Sequence, residues 1–339
     1  MLTVLIATHN GAGTLVRVLE GYCRLREPDG GWRLVVVDNG STDGTRDILD
    51  AYRSRLPLTC LLEPRRGQNR ARNTGLDAAS GDLVVLSDDD TIPRPDWLAA
   101  MRRSADTHRA FSVFGGVILP AWEAPPAEWL LSWVPQGPCF ARTGPTLEEG
   151  PVKPSAVFSP NMAVRADVLR AGYRFDESMG PNGTLHYAMG SETELLRRLG
   201  AAGYGAWHSR EAVVEHIIHP FQMTPRWVLG RAVRFGRGQY RLLGWSRAQG
   251  APHILGVPRF MLRQVVAQAA RALRARLRGD AEATFRERWE LCYLIGQVIE
   301  GRHLSRQGRR LSRGETGPEG NSSARRHDRE ELTPDRTGR

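Results

Sequence analysis

Apolar residues fall first into short runs, at 2–7, 34–37, 58–62 and 83–86. Each run is too short for a buried helix and is bounded by turn-forming residues, so each reads as an interior β-strand. Between the runs the period changes. Leu15, Val18, Leu19 and Tyr22 recur at helical spacing, and so do Ile48, Leu49 and Tyr52. Asp43 is placed to cap the second of these helices. Residues 67–79 read as a third helix, rich in small residues and holding Arg70 and Arg72. The series β-α-β-α-β-α-β predicts an α/β fold, an open, mostly parallel sheet flanked by helices.

Beyond Trp97 the pattern loosens. Residues 111–119 read as a strand bent at Gly115-Gly116, and 156–165 as another strand. Residues 120–154 are rich in proline and carry Trp122, Trp129 and Trp133, which suits either a binding loop or an irregular excursion packed on the core. Ser191 is placed to cap a helix that opens with Glu192 and Glu194. Amphipathic spacing recurs over 260–273, and 289–299 reads as a further apolar helix. The expected organisation is a sheet domain over 1–220, a basic helical C-terminal extension over 221–302, and a disordered charged tail over 303–339.

The fourth run changes the picture because it ends in Asp88-Asp89-Asp90. Ligands of parallel sheets bind just past the carboxyl ends of the strands. Three adjacent carboxylates there repel one another and cannot be buried unpaired. They form either a solvated turn that caps the next helix, or a site for a hard divalent cation that itself carries phosphate.

The net charge is +10, and the basic residues are almost all arginine, with Lys153 the single lysine. From His216 to Gly279 there is no acidic residue, while a dozen arginines fall inside. Cys23, Cys60, Cys139 and Cys292 are widely spaced, which suits reduced thiols in a cytoplasm. No signal peptide and no membrane-spanning run are expected. Gly11-Ala12-Gly13 with Asp38 is a partial dinucleotide fingerprint, but Val16 stands where its third glycine belongs.

Seven motifs occur in a telling order. They are residues 4–10, ending Ala7-Thr8-His9-Asn10; residues 35–43, with Asp38-Asn39-Gly40-Ser41-Thr42-Asp43; Arg70-Ala71-Arg72-Asn73; Asp88-Asp89-Asp90; Asn161-Met162-Ala163; Phe175-Asp176-Glu177; and Gly190-Ser191-Glu192-Thr193-Glu194-Leu195. Together they resemble the family 2 glycosyltransferases, inverting enzymes of the GT-A fold that use nucleotide-sugars. The resemblance spans roughly residues 2–240. It implies Asp90, Asp88 and His216 as ligands of Mg²⁺ or Mn²⁺, with Asp88 also toward the donor ribose and Asp89 beside it. It implies Thr8, Asn10, Asp38 and Asn39 around the nucleotide, and Arg72 facing the donor phosphates or sugar. Glu192 falls on the position of the catalytic base, with Glu194 as its competitor.

The expected partners are a UDP-, GDP- or dTDP-sugar donor, a glycan or lipid-linked acceptor, and an anionic membrane surface for the basic extension. No nucleic-acid partner is expected, since no recognised motif accompanies the charge. A nucleotidyltransferase would also use acids at strand ends, but would carry a basic, glycine-rich loop after strand one. A non-enzymatic binder of anionic polymers is the third reading.

Overall fold

The computed structural model describes residues 1–312 apart from 145, 185, 245–249 and 255. The four apolar runs form four parallel strands, β1 (Leu2–Thr8), β2 (Trp32–Asp38), β3 (Leu58–Leu62) and β4 (Leu83–Asp88). Helices α1 (Ala12–Cys23), α2 (Thr45–Tyr52) and α3 (Gln68–Asp77) connect them. Leu2, Val4 and Ile6 of β1 enter one apolar cluster with α1, while Leu5 and Ala7 enter another with α3. Both faces are therefore buried, which is why the run shows no polar alternation.

After β4 the chain forms β5 (Thr91–Pro93), α4 (Trp97–Thr107), β6 (Val113–Trp122), α5 (Glu128–Ser132), α6 (Gln136–Phe140), β7 (Gly150–Val152), β8 (Met162–Arg165) and α7 (Ala166–Arg170). Then come α8 (Ser191–Ala201), β9 (Ala206–Ile218), α9 (Pro225–Gln239), a short hairpin of β10 (His253–Ile254) and β11 (Val257–Pro258), α10 (Arg259–Leu277) and α11 (Ala281–Ser312). The main sheet runs β3-β2-β1-β4-β8-β6-β9-β5, with β7 also on β9. Its first half is parallel. In the second half β8 lies antiparallel between β4 and β6.

Several local expectations need correction. Residues 156–165 do not form one strand: two single 3₁₀ turns, Pro154–Ala156 and Ser159–Asn161, precede the four-residue β8. Pro154 and Pro160 lack the amide donors that a ladder needs. Asp43 does not cap α2, and Gly44 holds that position. The Asp43 carboxylate instead accepts from the Thr45 and Ala12 amides. Gly190, not Ser191, is the N-cap of α8, at φ 100°. The bend at Gly115-Gly116 does appear, as a register shift between Gly116 and Val117. A side chain at Gly116 would lie 2.2 Å from the Ala212 carbonyl oxygen.

Residues 120–154 carry two short helices and β7, and the tryptophans are inward anchors. Trp122, Trp129 and Trp133 pack around a cluster that joins Leu130 and Phe140 to Val228 and Leu229 of α9 and to Phe285 and Trp289 of α11. The last helix runs on to Ser312, past the expected start of the tail near 303, because Leu304 still packs on the cluster of Tyr240, Val257 and Met261. Residues 313–339 lie outside the described residues.

Helices α9 and α11 touch backbone to backbone. A side chain at Gly236 would lie 2.0 Å from the Tyr293 carbonyl oxygen, and one at Gly296 2.1 Å from that of Val233. This approach brings Glu300, fully buried, to Arg237 at 2.7 Å and Arg241 at 2.5 Å. Arg237 also donates to the His186 carbonyl, and Arg241 to the Ser178 carbonyl at 2.9 Å, so the clamp grips the segment leading into α8. Glu300→Gln would strand two largely buried guanidiniums and is expected to cost about 3 kcal/mol of stability. Urea unfolding measures this; an unchanged midpoint would show that the clamp carries no load.

Candidate active site

The carboxyl ends of β1, β2 and β4 meet because register pairs Thr8 with Asp38, and Ala7 with Asp88. Beyond them two cavities, of about 210 and 410 Å³, share Gln68, Asp89 and Pro181 and form one cleft. The larger is lined by Ala7, Thr8, His9, Asn39, Arg66, Gly183 and Thr184. The smaller is lined by Arg72, Asp88, Asp90, Ser191, Glu192 and His216, and on its far wall by Tyr187, Gln222, Trp227 and Arg231.

The three acids have different partners. Asp88 accepts from Arg72 at 2.9 Å, and Asp89 from the Thr8 hydroxyl at 2.5 Å. Asp90 meets His216 Nε2 at 3.3 Å. Strand β5 causes this last contact, since its antiparallel register on β9 sets Thr91 opposite His216. The other ring nitrogen of His216, Nδ1, sits 2.8 Å from the Phe140 carbonyl oxygen, which orients the ring. Burial pushes the Asp88 carboxyl up despite Arg72. Burial and the neighbouring charge of Asp90 push Asp89 up to about 7. Burial also disfavours ionised Asp90, but the charge and hydrogen bond of His216 hold its carboxyl below the usual range. Burial would lower His216, and Asp90 outweighs it, so the imidazole is raised. Among the described residues no three of His, Cys, Asp and Glu stand as a preassembled metal cluster.

Arg72 is buried at the wall of the smaller cavity. Besides Asp88 it reaches Ser159 Oγ at 3.1 Å and Ser191 Oγ at 3.4 Å. Glu192, in the first turn of α8, lines the cleft beside Ser191. Glu194 is tied to Arg198 at 2.7 Å and faces a separate depression with Arg197 and Arg241.

Thr8, Asn39 and Asp89 thus meet at the larger cavity. Asn39 is buried, donating to the Glu63 and Arg65 carbonyls and accepting from the Gly67 amide, so it shapes the wall. Asn10 and Asp38 lie at the same strand ends, with their side chains on the amides of Thr42 and Ser41. The sequence reading missed His9, Arg66 and Gln68 on the larger cavity and Trp227 and Arg231 on the smaller. Arg66 had a signal, as a basic residue just before a glycine and a helix. Burial and the nearby Arg66 lower His9.

The family profile described as Glycosyl transferase family 2 matches residues 3–158. Glycosyltransferase AglE of Haloferax volcanii is 26% identical over 250 residues, 71% of this chain and 73% of that protein. The succinoglycan biosynthesis protein ExoM of Rhizobium meliloti is 28% identical over 221 residues, 64% of this chain and 67% of that protein. Residues 3–158 thus form a glycosyltransferase family 2 domain, and the protein is a glycosyltransferase. The nucleotidyltransferase and polymer-binder readings fall with that assignment. A mannosyltransferase of Pyrobaculum calidifontis, solved with GDP-mannose and Mn²⁺, shares the fold at TM-score 0.57 and 20% identity, covering 88% of this chain and 86% of that one. The fold is therefore a GT-A-like sheet with a C-terminal helical region.

Proposed function

We propose that the enzyme is an inverting, metal-assisted transferase that moves a sugar from a nucleotide-sugar to an acceptor hydroxyl, in the synthesis of a cell-surface polysaccharide or glycolipid. The observation that carries this reading is the single cleft that joins the ends of β1 and β2 to the three acids and to Glu192. The larger cavity takes the nucleoside of a UDP-, GDP- or dTDP-sugar. The smaller takes the sugar and the attacking hydroxyl. The similarity to ExoM, a succinoglycan biosynthesis protein, supports the polysaccharide role.

Asp90 and His216 would hold Mg²⁺ or Mn²⁺, with Asp88 alongside. The residues present fit: oxygen and imidazole donors face each other, and the second ring nitrogen of His216 is fixed on a carbonyl, as metal-ligating histidines require. A bound divalent cation supplies charge stabilisation to a departing diphosphate. Thr8 and Arg72 orient Asp89 and Asp88. Glu192 accepts the proton of the acceptor hydroxyl, opposite the leaving group. Its rival Glu194 is engaged by Arg198 outside the cleft.

The outer face of α10 leaves Val266, Leu273 and Leu277 exposed at 70%, 57% and 78%. Arg263, Arg274 and Arg278 flank them, with no acid on that helix. We read this face as a peripheral contact with anionic lipid on the cytoplasmic side, at about 1 kcal/mol per basic side chain near the surface. No helix of the described residues is long and apolar enough to cross a membrane.

Asp90→Ala is expected to abolish turnover and metal-dependent nucleotide binding with an unchanged melting curve; wild-type activity would sink the metal assignment. Glu192→Gln is expected to retain donor binding in a thermal-shift titration and lose transfer. If Glu194→Gln lost transfer instead, the base would be Glu194. On flotation the enzyme should rise with anionic vesicles, less so in high salt, and not with neutral ones. Failure to rise with either would remove the membrane contact.

A further inference from the structure

Charge around the cleft is unbalanced at one end. Asp88 has Arg72, Asp90 has His216, and Arg237 and Arg241 have Glu300. Arg231 and Arg234, one turn apart on α9, meet no carboxylate among the described residues. Both are half-buried. Arg231 lines the smaller cavity. Its Nε donates to the Pro138 carbonyl at 3.2 Å, a terminal nitrogen reaches the Tyr187 hydroxyl at 3.4 Å, and its guanidinium lies over the Trp227 ring at 5.6 Å. Arg234 lies over Tyr187 at 5.5 Å and Trp227 at 6.0 Å. Its Nε is buried with no hydrogen-bond partner.

Two guanidiniums stacked on shared aromatic rings repel one another, and a buried donor without a partner costs free energy. The surroundings supply ring faces, a carbonyl and a hydroxyl, but no negative charge. An oxyanion in the cavity would offset the repulsion between the two cations, and the guanidinium fork of Arg231 matches phosphate geometry.

We propose that Arg231, backed by Arg234, forms a binding site for a phosphate group at the end of the cleft away from β1 and β2. The site rests on the reading of the cleft as the place of sugar transfer, but phosphate binding can be measured without any transfer. Two sources share the chemistry: a phosphate carried by the acceptor, and the diphosphate of the donor. We take the acceptor as the source, because the donor diphosphate would already have the cation held by Asp90 and His216 in the same cavity, whereas Arg231 has no carboxylate partner among the described residues.

The test titrates the full chain with inorganic phosphate by calorimetry, with and without saturating UDP or GDP, whichever binds, in the presence of Mn²⁺. Phosphate should bind the nucleotide-filled enzyme. Arg231→Gln should weaken that binding by about tenfold, equal to ~1.4 kcal/mol, and leave nucleotide affinity unchanged. Arg231→Lys, which keeps the charge but loses the fork, should bind phosphate more tightly than Arg231→Gln and less tightly than the unaltered chain. If nucleotide blocks phosphate, and Arg231→Gln weakens the nucleotide instead, the site serves the donor diphosphate. No phosphate binding, or phosphate and nucleotide affinities both unchanged in Arg231→Gln, would overturn the proposal.

Discussion

The Arg72 guanidinium is 2% exposed and directs its donors to Asp88, Ser159 and Ser191, so three segments far apart in sequence must converge on it. A buried cation without its anion costs about 3–5 kcal/mol, so the native arrangement is one in which the end of β4, the turn before β8 and the start of α8 arrive together. The three acids inherit their positions from that requirement. Asp88 is fixed directly, and Asp89 and Asp90 follow it along the backbone to Thr8 and to His216. Glu192 stands next to Ser191, so its approach to the cleft is set by the same charge.

The segment between α7 and α8 is held from two sides. From below, Asn69 of α3 donates to the Asp176 and Met179 carbonyls, and Asn73 exchanges bonds with the Phe175 backbone. From above, the Met189 amide donates to the Arg234 carbonyl, and a side chain at Gly238 would overlap the Met189 carbonyl oxygen. Arg237 and Arg241 add their bonds to His186 and Ser178. The segment supplies Pro181, Gly183 and Thr184 to one cavity and Tyr187 and Met189 to the other. The C-terminal helices are therefore part of the wall of the cleft, and their mutual packing through Gly236 and Gly296 transmits to it.

How far the sequence reveals this depends on the range of the interactions. Strands β1 to β4 were legible because burial on both faces leaves unbroken apolar runs. The acid triplet was legible because its cost is local. Strand β5 was not, being three residues with a proline, and its pairing with β9 is what puts Asp90 against His216. Asn39 illustrates a different limit: its position at a strand end was readable, but not that its amide would be consumed by the Glu63, Arg65 and Gly67 backbone. Arg72 was recognisable as too well packed for a surface charge, yet its direction, down toward two serines, depends on partners about 90 and 120 residues away. The tryptophans of 120–154 could have marked a lid or a core. Only the packing of Phe285 and Trp289 from the other end of the chain decides for the core.

The basic stretch shows why charge counted along a sequence does not locate charge in space. Residues 216–279 contain no acid, yet Arg237 and Arg241 are neutralised, because Glu300 arrives from the next helix. Arg271 likewise meets Glu287 of α11 at 3.4 Å. Antiparallel helix packing thus separates the arginines into three groups. Those that face α11 are counterbalanced within the fold. Arg231 at the cleft and Arg234 behind it are set on aromatic rings with no internal anion. Those on the outer side of α10 meet solvent beside exposed leucines. The first group is a condition for holding the cleft wall in place. The other two are left with positive charge that the fold itself does not satisfy, one inside the cleft and one on the surface.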